Sequence, residues 1–451
     1  MANLRLAVTR RSILNTVRFY AGEQMHKRIL ILGPTGTKKD ELLPKIARDL
    51  KTTSGQQAHT LHFEDYLAEA PLYPKTFQKF LRQGHKVQAI IWDQGWNLLA
   101  KELAKISSDE LILLSMHGAY VRADQGTRSV ANLSRICEGF EPTLIITVFD
   151  DVYQMWNRTE ASARGDNTRI RPTLQELISA RRAEIMIGDM LAVQRPMNEC
   201  RHVIIALNHP IRFFSELIMS NAEICYLSFP ISAFRKDGEA AQALFTIIRD
   251  LHAKAVATFN KSGSSRRIFI SPLTIDEFPL SFTYKAWRDG NPEKAADPED
   301  ETLVEFDVLA HRFPVEDIWP GEELANSVMT DCVHIPSDQL RLATSLMETD
   351  VGWRDFKLVS QADALAVSCP KPSNRQMITR GVKNEILAAL AMGGTPVYIW
   401  EPPEFDPQHV VDGEFFSDPG SMGSGVWQTV AQRCESMEQM LNWCVRRETG
   451  Q

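Results

Sequence analysis

Apolar residues along this chain gather in short continuous runs, with little polar–apolar alternation inside them. RILIL (28–32), LILL (111–114), LIITV (144–148) and VIIAL (203–207) are the runs of the first half. ICYLS (224–228), RIFI (267–270), ALAVS (364–368) and PVYIW (396–400) are those of the second. Continuous apolar strands of this length are buried on both faces, as in a parallel sheet covered by helices on each side. AIIW (89–92) reads as one more strand of the first series. Segments of helical period lie between the runs, among them 41–50, 173–193, 239–257 and 383–392.

The double alternation predicts an α/β protein of two Rossmann-like parallel-sheet units, joined near 215–223. The expected boundaries are a tail or helix over 1–27, a first unit over 28–221, a second over 222–410, and a loop and helix over 411–451. Within the second unit, 289–307 is rich in Pro, Asp and Glu and reads as an exposed acidic insertion. The Pro- and Gly-rich stretch 401–425 reads as a long loop, and 426–447 as an amphipathic final helix.

Composition narrows the function classes. Of 451 residues, 44% are hydrophobic and 24% charged, which excludes a mostly disordered chain and a collagen-like one. A net charge of −7 gives no clear nucleic-acid footprint. Seven cysteines, none in a C-x-x-C pair or zinc-ligand spacing, read as reduced buried thiols of a cytoplasmic protein that holds no metal. No apolar run is long enough to cross a membrane.

Two stretches carry candidate chemistry. The first is GPTGTKKD (33–40), between the strand 28–32 and a helix. Strand, glycine turn and helix N-terminus present backbone N–H groups to an anion. The nucleotide form is G-x-x-x-x-G-K-[ST]. Gly33 and Lys39 keep its spacing, Gly36 lies within the loop, Lys38 replaces the second glycine, and Asp40 replaces the hydroxyl residue. This unit resembles a degenerate P-loop domain of the adenylate-kinase type. That resemblance implies that Gly33, Gly36, Lys38 and Lys39 bind ATP or another nucleotide, or that the loop is vestigial. His117, after the strand 111–114, could line a ligand crevice. Arg158, Arg164, Arg169 and Arg171 could clamp phosphates from a lid, or lie solvated on a surface loop.

The second stretch begins with YLSFPI (226–231) at a strand end. WRDFKLVSQAD (353–363) precedes the strand 364–368, then KPS (371–373) and GVKNE (381–385) open a helix. Over about 222–402 this order resembles the nucleoside 2-deoxyribosyltransferases and the related 2'-deoxynucleoside 5'-monophosphate N-glycosidases. The resemblance implies cleavage or transfer at an N-glycosidic bond. Glu385 would be the nucleophile or charge stabiliser, and Asp363 would orient it or protonate the departing base. Tyr226, Ser228, Phe229 and Gly381 would line the substrate pocket, with Ser373 at a 5'-phosphate. Seven residues separate Ser373 from Gly381, a longer loop than the family's, and Arg375 and Arg380 within it could add positive charge.

A carboxylate suits this chemistry because bond cleavage passes through an oxocarbenium-like state. No cofactor is required for the glycosyl step. The small-molecule partner is a nucleoside or nucleotide, and the resemblance implies a homodimer or higher homo-oligomer. The alternatives are a P-loop nucleotide kinase and a non-catalytic nucleotide sensor or scaffold, by analogy with anti-phage defence proteins.

Overall fold

The structure, a computed structural model, describes residues 26–122, 126–163, 172–195, 199–220, 222–229, 231, 238–261, 267–297, 300–308, 313–326, 331–368, 380–391, 395–400 and 431–445. Residues 1–25 of the tail expected over 1–27, Arg164, Arg169, Arg171, Ser373, Arg375 and the loop 401–425 lie outside the described residues.

Two parallel five-stranded sheets form the frame. The first holds β1 (Arg28–Leu32), β2 (Ala58–His62), β3 (Leu111–Met116), β6 (Leu144–Phe149) and β7 (Arg201–Ala206), in the order β2-β3-β1-β6-β7. A small antiparallel hairpin, β4 (Tyr120–Arg122) and β5 (Gly126–Arg128), follows β3. The second sheet holds β8 (Glu223–Ser228), β9 (Arg267–Ile270), β12 (Ala364–Ser368), β13 (Val397–Trp400) and β14 (Ala431–Cys434). Its order from the β9 edge is β9-β8-β12-β13-β14, which is 2-1-3-4-5 in chain order. Every pairing within either sheet is parallel. Between β9 and β12 in the chain, β10 (Leu303–Asp307) pairs antiparallel with β11 (Cys332–Pro336).

The helices that position the site are α1 (Lys39–Ser54), α2 (His85–Leu103), α3 (Val152–Ala163), α4 (Leu174–Gln194) and α5 (Ile211–Met219) in the first unit. In the second they are α6 (Gly238–Lys261), α7 (Phe278–Gly290), α8 (Ser337–Ser360), α9 (Arg380–Ala391) and α10 (Met437–Val445). A capping box starts α4. Thr173 Oγ1 accepts from Glu176 N at 3.2 Å, and Glu176 Oε2 accepts from Thr173 N at 2.8 Å, so two end donors are satisfied reciprocally.

Three expectations need correction. AIIW is not a strand: Ile91 and Trp92 lie inside α2, with Trp96 and Leu99 completing one apolar helical face. A four-residue apolar run fits either period, and the flanking positions decide. The acidic stretch over 289–307 is not all exposed loop, because β10 alternates exposed and buried residues, with Val304 and Phe306 turned inward. The final segment is not one helix: residues 431–434 add a fifth strand beside β13 before α10 begins. The edge strand β2, AHTLH, was not expected at all, since its polar composition hides a strand covered on one side only.

One apolar core runs through both sheets. Ile29, Ile146 and Val203 belong to it with Ile224, Leu365 and Ile399. The bridge is α5, which packs on α1 and on β9 and buries Phe213, Phe214, Leu217 and Ile218. Each such side chain contributes about 1.5–3 kcal/mol on burial, so the join is a packed core and not a linker.

Side chains of the QAD stretch complete that join. Gln361 ends α8, and its carboxamide accepts from Ile204 N and donates to Ile204 O, both at 2.7 Å. This satisfies the outer edge of β7, where backbone groups would otherwise lack partners. Asp363 Oδ2 accepts from Ile224 N at 2.9 Å, and Arg201 lies 3.7 Å from the same oxygen.

Candidate functional site

In a parallel sheet of order 2-1-3-4-5, neighbouring chain connections leave on opposite faces between the first and third strands, and a crevice opens at their carboxyl ends. Here those strands are β8 and β12. Tyr226 and Ser228 are two residues apart on β8 and so share one face. Both are fully buried. Glu385 comes from α9 to meet them. The Tyr226 hydroxyl donates to Glu385 Oε1 at 2.7 Å, and the Ser228 hydroxyl donates to Oε2 at 2.5 Å. Glu385 is the sixth residue of α9, beyond the first turn, so complementing the helix dipole does not account for it. Ser368, at the carboxyl end of β12, is buried, and its hydroxyl has no hydrogen-bond partner among the described residues.

A second carboxylate lies within electrostatic reach of the first. Asp355 lies on α8, and its Oδ1 accepts from both Nε and Nη2 of Arg354 at 3.0 Å each. Burial and the negative charge of Asp355 push the Glu385 carboxyl up to about 8, against the opposing pull of the Ser228 and Tyr226 hydroxyls and of Arg354. Burial likewise raises Asp355, while Arg354 lowers it. The Tyr226 phenol is pushed well above its ordinary range by burial, then by Glu385 and Asp355. A carboxyl raised to about 8 holds its proton at neutrality.

Sequence reasoning passed over Asp355, although it lies in the same motif as Asp363. A signal was present. Val351, Arg354, Asp355 and Leu358 fall at helical spacing, and Val351, Arg354 and Leu358 are buried. Charged residues on the buried face of a helix call for partners, and here they find each other and Glu277.

The other expected residues scatter. Asp363 is not brought to Glu385. It sits at the amino end of β12, opposite Ile224, about 13 Å of strand away from Ser228. Phe229 is buried and packs edge-on to His252, ring centres 5.7 Å apart. Gly381 is exposed in the first turn of α9. Ser373 lies outside the described residues.

The loop 33–40 does sit between β1 and α1. Gly33 is required there, because a Cβ would come within 2.7 Å of Val148 O. Gly36 takes φ +90°, a left-handed conformation that favours glycine. Lys38, in the place of the second glycine, is forced to φ 46°, and its ammonium pairs with Glu41 at 2.8 Å. Lys39 is turned inward. Its ammonium donates to Gly33 O at 2.5 Å and lies 3.1 Å from His117 Nδ1. Burial lowers its pKa, against the opposing charges of Glu64, Glu184 and Asp40. Glu184 in turn accepts from the Gly118 and Ala119 amides at 2.9 and 3.2 Å. Arg158 is occupied too, donating to Gly36 O at 2.8 Å and pairing with Asp150 at 2.6 Å.

Among the described residues no group of His, Cys, Asp or Glu is placed to hold a metal ion, and no helix is long and apolar enough to cross a membrane. No family model matches the chain, and no curated protein matches its sequence.

Proposed function

We propose that the β8–β12 crevice cleaves or transfers at the N-glycosidic bond of a nucleoside or nucleotide. One observation carries this reading: a carboxyl group, Glu385, lies at the crevice with a hydroxyl donor on each oxygen and a second carboxyl, Asp355, within electrostatic reach. On this reading the second unit is deoxyribosyltransferase-like, and the role that the sequence suggested for Asp363 passes to Asp355.

A pair sharing one proton supplies an acid and an anion together. At rest Glu385 holds the proton; on substrate binding the proton passes to Asp355, and Glu385, now ionised, faces the anomeric carbon. Asp355, protonated, gives its proton to the departing base as the C1'–N bond breaks. The electron pair of that bond leaves with the base, and Glu385 stabilises the cationic sugar or bonds to it as an ester. Water then attacks the sugar and returns a proton to Asp355, or a second base does so in a transfer. Tyr226 and Ser228 hold the carboxylate oxygens in place throughout.

The first unit is read as P-loop-like in its strand–loop–helix, and as a brace in its function. Lys39, Lys38 and Arg158 all have partners within the protein, and Glu64 and Glu184 set negative charge where a phosphate would lie. These features favour the glycosidic reading over the kinase one.

The test is base release. The full chain is incubated with nucleosides, 5'-monophosphates and NAD, with and without ATP, and free base is followed by chromatography beside Glu385→Gln. Release by the wild type alone is the expected result. Equal release by both proteins, or none from any compound by either, overturns the reading.

A further inference from the structure

We propose that Arg181, on α4 of the first unit, is a positioning residue for the carboxyl pair of the second unit, acting through Glu277 and Arg354. This deepens the glycosidic reading and rests on it for its kinetic consequences alone.

The contacts form an unbroken chain across the join. Arg181 grips Glu277 with both terminal nitrogens, Nη1 to Oε1 at 2.7 Å and Nη2 to Oε2 at 3.1 Å. The same guanidinium donates to Asp350 and, at 3.2 Å, to the carbonyl of Asp150. Glu277 Oε1 also accepts from the Val152 amide at 2.7 Å, and its Oε2 accepts from Arg354 Nη1 at 3.3 Å. The remaining nitrogens of Arg354 hold Asp355. Arg181, Glu277 and Asp350 are essentially without solvent contact, with side chains 1%, 0% and 0% exposed, so water does not screen these charges.

Charge bookkeeping gives Arg181 a role beyond holding the units together. Arg354 is shared between Glu277 and Asp355. While Arg181 neutralises Glu277 and Asp350, Arg354 remains free to fix Asp355. Without Arg181, two buried carboxylates lose their main counter-charge, and Arg354 is drawn toward Glu277. Asp355 then loses its anchor, and the pair binds its proton more tightly. The groups acting on the pair are Arg354 and Asp350 on α8, Glu277 before α7, and Tyr226 and Ser228 on β8; Arg181 and the partly exposed Arg182 on α4 act through Glu277 and Asp350.

A structural tie alone would lower stability on removal of either partner. The positioning role instead predicts opposite shifts. The measurement is an infrared titration of the full chain, following the protonated-carboxyl band identified by its loss in Glu385→Gln and Asp355→Asn. Arg181→Met removes a positive charge and raises the midpoint by about one pH unit; Asp350→Asn removes a negative charge and lowers it by about as much. Arg181→Lys keeps the charge and leaves the midpoint near the wild-type value. Circular dichroism reports folding of each variant.

Midpoints that stay put, or that move the same way in folded Arg181→Met and Asp350→Asn, overturn the proposal. If Arg181→Met does not fold, an unmoved midpoint in Asp350→Asn overturns it alone. The titration needs no substrate, so it separates this proposal from the glycosidic one. In an active protein, the kcat/KM profile shifts in the same two directions while KM stays within about twofold.

Discussion

Both sheets bring one ionisable side chain to the carboxyl ends of their strands, and they treat it differently. In the first unit burial alone works against the charge of Lys39, while every group around it favours that charge: a carbonyl, His117 and the charges of Glu64 and Glu184. In the second, Glu385 is surrounded by groups that disagree. Two hydroxyls favour its ionised form, while burial and Asp355 favour its protonated form. A satisfied charge is a structural element. A charge held between opposing influences has a pKa near neutrality, which is what acid–base and nucleophilic chemistry needs.

The sharpest way to break this contrast is to neutralise each side chain in turn. Glu385→Gln is expected to lower base release about ten-thousandfold or more, because it removes the anion that meets the sugar. Its stability moves the other way. A carboxyl raised from 4.5 to about 8 binds a proton in the folded state that the unfolded chain has released, so wild-type stability falls as pH rises between those values. The glutamine variant lacks that loss, and its melting temperature relative to wild type should climb from pH 5 to pH 8. Lys39→Met should show the reverse pattern: release within about twofold of wild type, and stability lower by about 2–3 kcal/mol as buried partners lose their counter-charge. A large loss of activity in Lys39→Met with full stability would break the comparison.

Next in size is Asp355→Asn, expected to cost about a hundred- to a thousandfold in rate as the general acid is lost. It also removes the negative neighbour of Glu385, so the pKa near 8 should fall. In the wild type, kcat/KM should drop above about pH 8 as the pair gives up its shared proton. A rate that keeps rising through pH 9 would mean that the fully ionised pair is the active form.

Smallest are the two other polar residues of the QAD stretch. Asp363→Asn and Gln361→Ala should leave kcat/KM within about twofold and cost about 1–3 kcal/mol each in denaturant melts, since the first leaves Arg201 without its carboxylate and the second leaves Ile204 N and O without a partner. A thousandfold rate loss in Asp363→Asn would return that residue to the chemistry.

Much of the frame was legible in the chain. The runs 28–32, 111–114, 144–148, 203–207, 224–228, 267–270, 364–368 and 396–400 are strands because continuous apolar residues have few other uses at that length. The edge strands β2 and β14 were not legible, since a strand paired and covered on one side needs little apolar character. Glu385 was legible with Tyr226 and Ser228, through the strand end and the helix that carry them. Asp355 was not, although it lies eight positions from the residue chosen in its place.

The sequence by itself determined the two parallel sheets, the loop between β1 and α1, and the presence of a glutamate on the helix after β12. These follow from local period and turn chemistry, which act over a few residues. Only the tertiary structure decided which carboxylate partners Glu385, whether Lys39 points outward or inward, and that Arg181 reaches the second unit through Glu277. Those outcomes depend on which distant groups share a buried, weakly screened space, and no local pattern of residues encodes that distance.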